Sequence, residues 1–241
     1  MCFTIAMHLP RETITSRFEV DAGALKDYDF RFYLQAFANP LVPVIPGTDP
    51  GRISLMQWGL IPSWCRDMDQ AEEIRKGTYN ARAESLERKS SFKTPLEMNR
   101  CLVITGGFFE WQHVAGKKTP WFITLREGGP MALAGLCDRW MNPADQKVYT
   151  TFSIVTTSAN PLMEKIHNSG QRMPVILPPG KDRVWIDPLL PAEKAKQLLL
   201  PYPEEEMDAW TVSPRLLGNK SDPYNPEVIQ RVEHYTPGSL F

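Results

Sequence analysis

The stretch RCLVITGGFFEWQ, residues 100–112, decides the fold of this chain. Its first half is rich in β-branched and aliphatic residues and its second half in aromatic residues, which is the composition of a β-strand. Two adjacent glycines in its middle indicate a close approach of backbone. In a strand, Phe108, Glu110 and Gln112 share one face. The sequence therefore predicts a strand over 100–112 that carries one carboxylate among aromatic side chains, where its pKa should be raised.

Four further segments have a strand-like composition, and well-marked turns separate them. They are RISLMQWGLI (52–61), PWFITLRE (120–127), MALAGLCDRW (131–140) and TTFSIVTTSA (150–159). Closely spaced strands with short loops favour antiparallel pairing over βαβ units. No long repeat or low-complexity linker divides the chain. We therefore predict one α+β domain over 1–241, with a strand-rich, mostly antiparallel core and a few peripheral helices.

Helical signals are fewer. The segment NPLMEKIH (160–167) begins with Asn160 as an N-cap and places Pro161 at the first helical position. Apolar residues recur at helical spacing in 191–200, and 226–233 predicts a terminal turn or helix. The segment 27–47 is aromatic and then rich in proline, so we expect an extended cover over the sheet.

Composition excludes several classes of protein. Of the 241 residues, 42% are hydrophobic and 23% are charged, which is ordinary for a globular domain. The formal net charge of −1 provides no global positive field, so nucleic-acid binding would need a local basic patch. Residues 75–100 supply one, with seven Lys or Arg against three Glu. We find neither an 18-residue apolar run nor a signal peptide, and expect a cytoplasmic protein without a membrane span.

The four cysteines are far apart in the sequence. They are Cys2, Cys65, Cys101 and Cys137, and no C-x-x-C pair occurs among them. This spacing argues against a zinc site and against a disulfide framework, so we expect reduced thiols, no metal and no cofactor. Nothing in the sequence fixes the oligomeric state, and a monomer is the default expectation.

The second residue of the chain, in MCFTIAMHLP, is a cysteine. Removal of Met1 would leave Cys2 with a free α-amine, whose reference pKa of about 7.8 is far below the value of about 10.4 for lysine. Such an aminothiol traps aldehydes, because the amine forms an imine and the thiol then closes a five-membered thiazolidine. An internal cysteine cannot do this, since its nitrogen is part of a peptide bond. The alternative is a small buried residue in the first strand.

Three further motifs contain candidate functional residues. In TYNARAES (78–85), strand periodicity would place Asn80, Arg82 and Glu84 on one face, with the Arg82 guanidinium suited to phosphate. In KIHNSGQRMP (165–174), His167 ends a helix near Arg172, which fits proton transfer or phosphate contact. A solvated edge strand and a structural histidine are the respective alternatives.

The third motif, QWGLIPSW (57–64), places Trp58 and Trp64 on either side of a proline turn. Exposed tryptophans can stack on the bases of single-stranded nucleic acid. Packing of both indoles in the core is the alternative interpretation.

Taken together and in order, these motifs resemble those of the SOS response-associated peptidase family. The pieces are the N-terminal M-C, W-G-x-x-P-x-W from Trp58, N-A-R-x-E from Asn80, G-x-F-E-W from Gly107, I-H at His167 followed by R-M-P from Arg172, and a late V-S and G-N at 212–213 and 218–219. The resemblance covers nearly the whole chain. It implies a barrel-like core.

The resemblance also implies a function. Members of the family capture the ring-opened aldehyde of an abasic site in single-stranded DNA. The cysteine exposed by removal of the initiator methionine forms a thiazolidine cross-link, with associated self-processing and lyase activity. By that likeness, the catalytic residues are Cys2, Asn80, Glu110 and His167, and the DNA-binding residues are Trp58, Trp64, Arg82 and Arg172.

Two departures from the family pattern concern DNA contacts. Family members often carry Gly and Arg after the cysteine, whereas Phe3 and Thr4 follow here, so one cation is missing at the mouth of the site. The loop between His167 and Arg172 is also longer than usual. Two other functions stay open: a thiol peptidase using Cys2 and His167 on other proteins, and a module that binds single strands without a covalent step.

Overall fold

The computed structural model describes residues 2–218 and 221–232 of the chain. The strands are β1 (Thr4–Met7), β2 (Arg31–Gln35), β3 (Leu41–Pro46), β4 (Ser54–Trp58), β5 (Asn80–Arg82), β6 (Arg100–Thr105), β7 (Gly107–Val114), β8 (Lys117–Leu125), β9 (Met131–Met141), β10 (Val148–Ser158), β11 (Arg172–Pro174), β12 (Ile176–Leu177) and β13 (Met207–Thr211). The α-helices are α1 (Arg11–Phe18), α2 (Met68–Arg75), α3 (Ser90–Met98), α4 (Pro161–Ile166), α5 (Lys181–Trp185) and α6 (Ala192–Lys196).

Five strands close into a barrel. The order is β10–β4–β3–β6–β9, and β9 pairs with β10 to complete the ring. All of these pairs are antiparallel except β10 with β4. The residues of β6 are buried throughout, because that strand lies between β3 and β9 with its side chains in the core. The predicted strand-rich, mostly antiparallel, barrel-like fold with few helices is confirmed.

A second sheet lies beside the barrel and carries the N-terminal strand. Its order is β13–β8–β7–β1–β2, and every pair in it is antiparallel. The register of β1 on β7 pairs Ile5 with Phe108 and Ala6 with Gly107. Continued outward, this register brings Phe3 opposite Glu110. The start of the chain is thus held against the strand that carries the predicted carboxylate.

The stretch 100–112 forms two strands and not the single strand that the sequence predicts. The break falls at the two glycines, which pass the chain from the barrel (β6) to the second sheet (β7). A Cβ at Gly106 would lie 2.6 Å from the His8 ring, and one at Gly107 would lie 2.3 Å from the Phe122 ring. The close approach inferred from the glycines is therefore present, and it is the point where one sheet gives way to the other.

The prediction of an extended cover over 27–47 is wrong, because the segment supplies β2 and β3. The prolines of this segment, which are unusual in a strand, concealed β3 from a prediction based on composition. Pro43 pairs with Leu55 of β4, but the pairing of β3 with β6 begins only at Val44. The barrel therefore does not require an N–H from Pro43 toward β6.

The predicted helix at 160–167 is confirmed as α4, with the Asn160 side chain accepting a hydrogen bond from the Met163 N–H. The helix predicted over 191–200 is shorter and ends at Lys196. The terminal segment forms a 3₁₀ turn over Pro226–Ile229, and residue 233 lies outside the described residues. Within the described ranges, no helix is long and apolar enough to cross a bilayer.

Candidate active site

Cys2 lies fully buried immediately before β1. Its carbonyl oxygen accepts a hydrogen bond of 2.8 Å from the Asn80 side-chain amide. Burial raises the pKa of the Cys2 thiol well above its usual range, and the nearby Glu110 carboxyl raises it further. The thiol is therefore protonated at neutral pH and must lose its proton to a base before or during attack on carbon.

Asn80 is placed by the barrel. Asn80 is the first residue of β5, which pairs in parallel with β10 of the barrel, and it lies opposite Ile154. Its side-chain amide nitrogen donates a hydrogen bond to the Cys2 carbonyl. Its buried Oδ1 accepts no hydrogen bond from any group in residues 2–218 or 221–232. An acceptor in this position suits an N–H on the Cys2 nitrogen or on an imine formed from it. The hydrogen bond from Asn80 thus joins the second sheet to the barrel.

Trp58 is not available to DNA, and its predicted stacking role is wrong. The indole is fully buried against Phe152, with ring centroids 6.0 Å apart. Its N–H donates to the Tyr79 carbonyl at 2.9 Å, directly before Asn80. Trp58 therefore anchors the strand that positions Asn80.

Replacing Trp58 with Phe removes this hydrogen bond and leaves a small cavity. We expect the free energy of unfolding to fall by about 2–3 kcal/mol, because a buried carbonyl loses its donor and a core side chain loses volume. Chemical denaturation of Trp58→Phe measures the loss. An unchanged denaturation midpoint would contradict the structural role given to this indole.

Glu110 is buried in the middle of β7, as the sequence predicts, and is only 4% exposed. Burial raises its pKa to about 7. Near neutral pH both the protonated and the ionised forms of the carboxyl are therefore populated. A group with that pKa can both donate and accept a proton under physiological conditions, as general acid–base catalysis requires.

His167 caps the C-terminus of α4 and points toward Glu110. Its Nδ1 lies 2.8 Å from the Arg172 carbonyl oxygen. A carbonyl oxygen only accepts, so Nδ1 carries the proton and neutral Nε2 keeps its lone pair. The loop from His167 to Arg172 is thereby fastened at both ends. A side chain at Gly170 would lie 2.5 Å from His167 Nε2, which explains the glycine in this loop.

Glu110 and His167 form a close pair in which burial disfavours the charged form of each side chain. Nδ1 of His167 lies 3.8 Å from Oε1 of Glu110, and both side chains are at least nine-tenths buried. An ion pair would lower the pKa of the acid and raise that of the imidazole. Burial dominates here, since it raises the pKa of Glu110 and lowers that of His167. The pair therefore contributes little as a salt bridge.

The buried carboxyl makes stability depend on pH. The pKa of Glu110 is about 7 in the folded chain against an ordinary value of 4.5, so the folded state binds more protons between these values. Stability therefore falls as pH rises from about 4.5 to 7. We expect Glu110→Gln to raise the free energy of unfolding at pH 8 by up to about 3 kcal/mol relative to the parent, and by much less at pH 5. Denaturation at the two pH values tests this, and an equal effect at both would contradict it.

The predicted common face of Asn80, Arg82 and Glu84 is wrong for Glu84. Strand β5 ends at Arg82, and a 3₁₀ helix begins at Ala83. The turn directs Glu84 to Arg172, whose guanidinium donates to both carboxylate oxygens at 2.7 and 3.0 Å. Although partial burial alone would raise it, the Arg172 hydrogen bonds hold the pKa of Glu84 below its usual value. A phosphate at Arg172 must therefore compete with Glu84.

Two cavities open beside this cluster. The first, here called the Asn80 cavity, has a volume of about 250 Å³ and is lined by Phe3, Lys76, Gly77, Tyr79, Asn80, Arg82, Ser85, Lys89 and Phe92. The second, the Glu110 cavity, has a volume of about 400 Å³ and is lined by Phe3, Glu110, Trp111, His113, Lys118, His167 and Ser169. Of the four predicted catalytic residues, Asn80 lines the first cavity and Glu110 and His167 line the second, whereas the buried Cys2 lines neither.

The structure does not bring every predicted residue to these cavities. Arg82 lines the Asn80 cavity and Arg172 touches His167 through its carbonyl, but Trp64 is 45% exposed and lines neither cavity. Sequence reasoning missed His113 and Lys118. They face each other across the β7–β8 hairpin, and counting outward from its turn would have found them. No cluster of acidic, histidine or cysteine side chains suited to a metal occurs in the part of the chain that the structure describes.

The barrel and the sheet beside it bring the second-residue cysteine close to an amide and a carboxyl, and the same carboxyl lies beside an imidazole. The chain belongs to the SOS response-associated peptidase (SRAP) family, whose model matches residues 1–218.

Two similar proteins and a solved structure support the assignment. The abasic site processing protein YoqW of Bacillus subtilis is 33% identical over 232 residues, covering 95% of this chain and 99% of the relative. The abasic site processing protein YMR114C of Saccharomyces cerevisiae is 35% identical over 171 residues, covering 68% of this chain and 44% of the relative. A crystal structure of a Bacteroides thetaiotaomicron protein superposes with a TM-score of 0.91 at 33% identity, covering 96% of this chain and all of the other.

Proposed function

We propose that this chain captures abasic sites in single-stranded DNA by forming a covalent thiazolidine through Cys2 after Met1 is removed. The observation that carries the proposal is the burial of Cys2 in contact with Asn80 and close to the Glu110–His167 pair. Family membership and relatives named as abasic site processing proteins support it.

The first step is self-processing. Met1 lies outside the described residues, but the sequence makes its carboxyl group the acyl partner of the Cys2 nitrogen. Water adds across this peptide bond, methionine leaves, and the Cys2 nitrogen becomes a primary amine. Glu110, with its pKa of about 7, can take a proton from the water and return one to the nitrogen.

Capture then uses both nucleophiles of one residue. The amine adds to the aldehyde carbon of the ring-opened sugar, and loss of one water gives an imine. The thiol adds to the imine carbon, and its proton passes to the nitrogen, which closes the five-membered ring. The raised pKa of the thiol favours attack by the amine first. The thiol can attack only when a base such as Glu110 takes its proton.

Asn80 and His167 have separate parts in this scheme. Asn80 fixes the Cys2 carbonyl through its amide and offers Oδ1 to an N–H of the amine. His167, with Nδ1 held by Arg172, presents Nε2 as a base near the sugar. The same base could remove the sugar proton that leads from the imine to β-elimination, which is the lyase activity. Thiazolidine closure competes with elimination and keeps the strand intact.

Phosphate and base contacts complete the proposal. Arg82 on the Asn80 cavity would bind a backbone phosphate, and Arg172 would bind another after exchanging Glu84 for it. Trp64, exposed outside both cavities, would stack on a base farther along the strand.

The experiment is incubation of the processed protein with a single-stranded oligonucleotide that carries one abasic site. We expect an adduct that survives heating in denaturant, and none with the intact oligonucleotide. Equal binding to both strands without a covalent product would indicate a non-covalent binding module. Turnover of an unrelated peptide would indicate a thiol peptidase. Either result would overturn the proposal.

A further inference from the structure

Phe3 occupies a special position in the site. Its side chain lines both the Asn80 cavity and the Glu110 cavity, so it forms part of the wall between them. It directly follows Cys2 in the sequence. Phe3 is therefore the residue of both cavities that is nearest to Cys2 along the chain.

Phe3 also forms the inner half of an aromatic stack. Its ring lies 5.0 Å from the ring of Phe37 with an interplanar angle of 24°, and Tyr79 contacts both rings edge-on. Phe37 lies in the short 3₁₀ helix Ala36–Ala38. Its side chain is 63% exposed, whereas that of the preceding residue, Ala36, is fully buried. An aromatic ring that is stacked on one side and open to solvent on the other presents a flat apolar surface.

The charges around this surface select its occupant. The Asn80 cavity is lined by three cationic side chains, Lys76, Arg82 and Lys89, and by no carboxylate. The far side of Phe3 adds Lys118. Lys76 is paired with Glu73, but both members are largely exposed, so the pair is easily exchanged for a phosphate. Flat aromatic surface between cations fits a polyanion with planar groups, and does not fit an apolar segment of protein.

We propose that Phe37, stacked on Phe3, binds an unpaired base of the nucleotide adjacent to the abasic site. This inference rests on the proposed function, since Cys2 fixes where the damaged sugar lies. The base would stack on the exposed face of Phe37 while the flanking phosphate meets the cations of the Asn80 cavity. Stacking requires no particular base, because every base has a π-face. The pair therefore orients the strand on one side of the lesion without reading its sequence.

Fluorescence of 2-aminopurine tests the stacking without any covalent step. The probe is a single-stranded oligonucleotide containing a tetrahydrofuran abasic analogue, which has no aldehyde, with 2-aminopurine on its 5′ or its 3′ side. The parent protein is compared with three substitutions of Phe37. Ala removes the ring, Leu keeps apolar bulk without a π-face, and Trp keeps an aromatic surface. Met98→Ala is the control, because Met98 is 66% exposed and lines neither cavity.

We expect the parent to quench 2-aminopurine on one side of the analogue and not on the other. Phe37→Ala and Phe37→Leu should lose this quenching and bind about 5- to 10-fold more weakly, the lower end of the range for one base–aromatic stack. Phe37→Trp should retain both properties, and Met98→Ala should match the parent.

Parent-like quenching in Phe37→Ala, or no quenching on either side in the parent, would overturn the inference. Equal loss in Phe37→Ala and Met98→Ala would also overturn it. The analogue cannot form an imine, so the result is independent of the aldehyde chemistry. A protein that quenches 2-aminopurine but gives no adduct with true abasic DNA would retain the stacking site and contradict the proposed function.

Discussion

Cys2→Ala is expected to abolish the heat-stable adduct with abasic single-stranded DNA. The variant keeps an α-amine and can form a reversible imine, but it has no thiol to close the ring. Because the thiol is on Cβ, which is bonded to the Cα that carries the amine, its effective concentration at the imine is very high, and its loss should reduce the stable adduct by about 10³-fold or more. Denaturing electrophoresis after heating measures the effect.

Two further variants test whether the loss of the adduct is specific to the thiol of Cys2. Cys2→Ser retains an amine and a hydroxyl in nearly the same volume and should also give little stable product. Cys65→Ala removes another buried thiol, in a separate packing cluster with Trp140, and should leave the yield unchanged. A stable adduct of parent-like yield in Cys2→Ala would contradict the role of the thiol. A loss of equal size in Cys65→Ala would point to a defect of folding.

Glu110→Gln is expected to slow adduct formation by about 10²- to 10⁴-fold, the usual contribution of a positioned acid–base group. The substitution keeps the shape and burial of the side chain but removes its ability to exchange protons. In the parent, the rate should change most steeply near pH 7, where Glu110 titrates. Single-turnover rates between pH 5.5 and 8.5 should show that inflection in the parent and not in Glu110→Gln.

Glu205→Gln is the control for this substitution, since Glu205 lies exposed in a turn of the acidic run 204–206. It should retain the rate and the pH profile of the parent. Because Glu110→Gln is expected to be more stable than the parent at high pH, denaturation measured at pH 8 distinguishes a loss of catalysis from unfolding. A Glu110→Gln rate within threefold of the parent, with the same inflection, would remove Glu110 from the mechanism.

The main features of the site could be predicted from the sequence. Glu110 among aromatic residues in a strand and His167 at a helix end lie where the local patterns indicate, because short-range periodicity and capping fix both. The proximity of Asn80 to Cys2 had no such local basis. It depends on a parallel pairing of β5 with β10 and on contact between two sheets, which only the resemblance to a family suggested.

The errors have physical causes that are specific to each segment. The sequence places Trp58 beside a proline turn, which suggested an exposed aromatic side chain. Its strand, β4, is part of the closed barrel, and the indole is buried in the interior. The prolines in 27–47 led to the prediction of an extended cover in place of β3. The strand-like composition on both sides of Gly106 and Gly107 led to the prediction of one strand in place of β6 and β7. Helix α2 was missed although Asp67 is an N-cap that accepts from the Gln70 N–H at 2.8 Å, a signal that was present in the sequence.

Phe3 shows what a departure from a family pattern can mean. The cation missing at the mouth of the site belongs to position 4, whereas Phe3 stands where family members often carry Gly. In the structure it forms an aromatic stack with Phe37, and cations are supplied instead by Lys76, Arg82 and Lys89 on the adjoining cavity. The aromatic ring next to Cys2 thus occupies the position of a glycine and not that of the missing cation.

Intact mass spectrometry of the protein after reaction with abasic single-stranded DNA tests the central claim most directly. The account predicts a species with the mass of the chain lacking Met1 plus the oligonucleotide minus one water, stable to heat and unchanged by borohydride, with the new bonds at Cys2 on fragmentation. A species that retains Met1, that gains two hydrogens with borohydride, or that is joined at a lysine would contradict it.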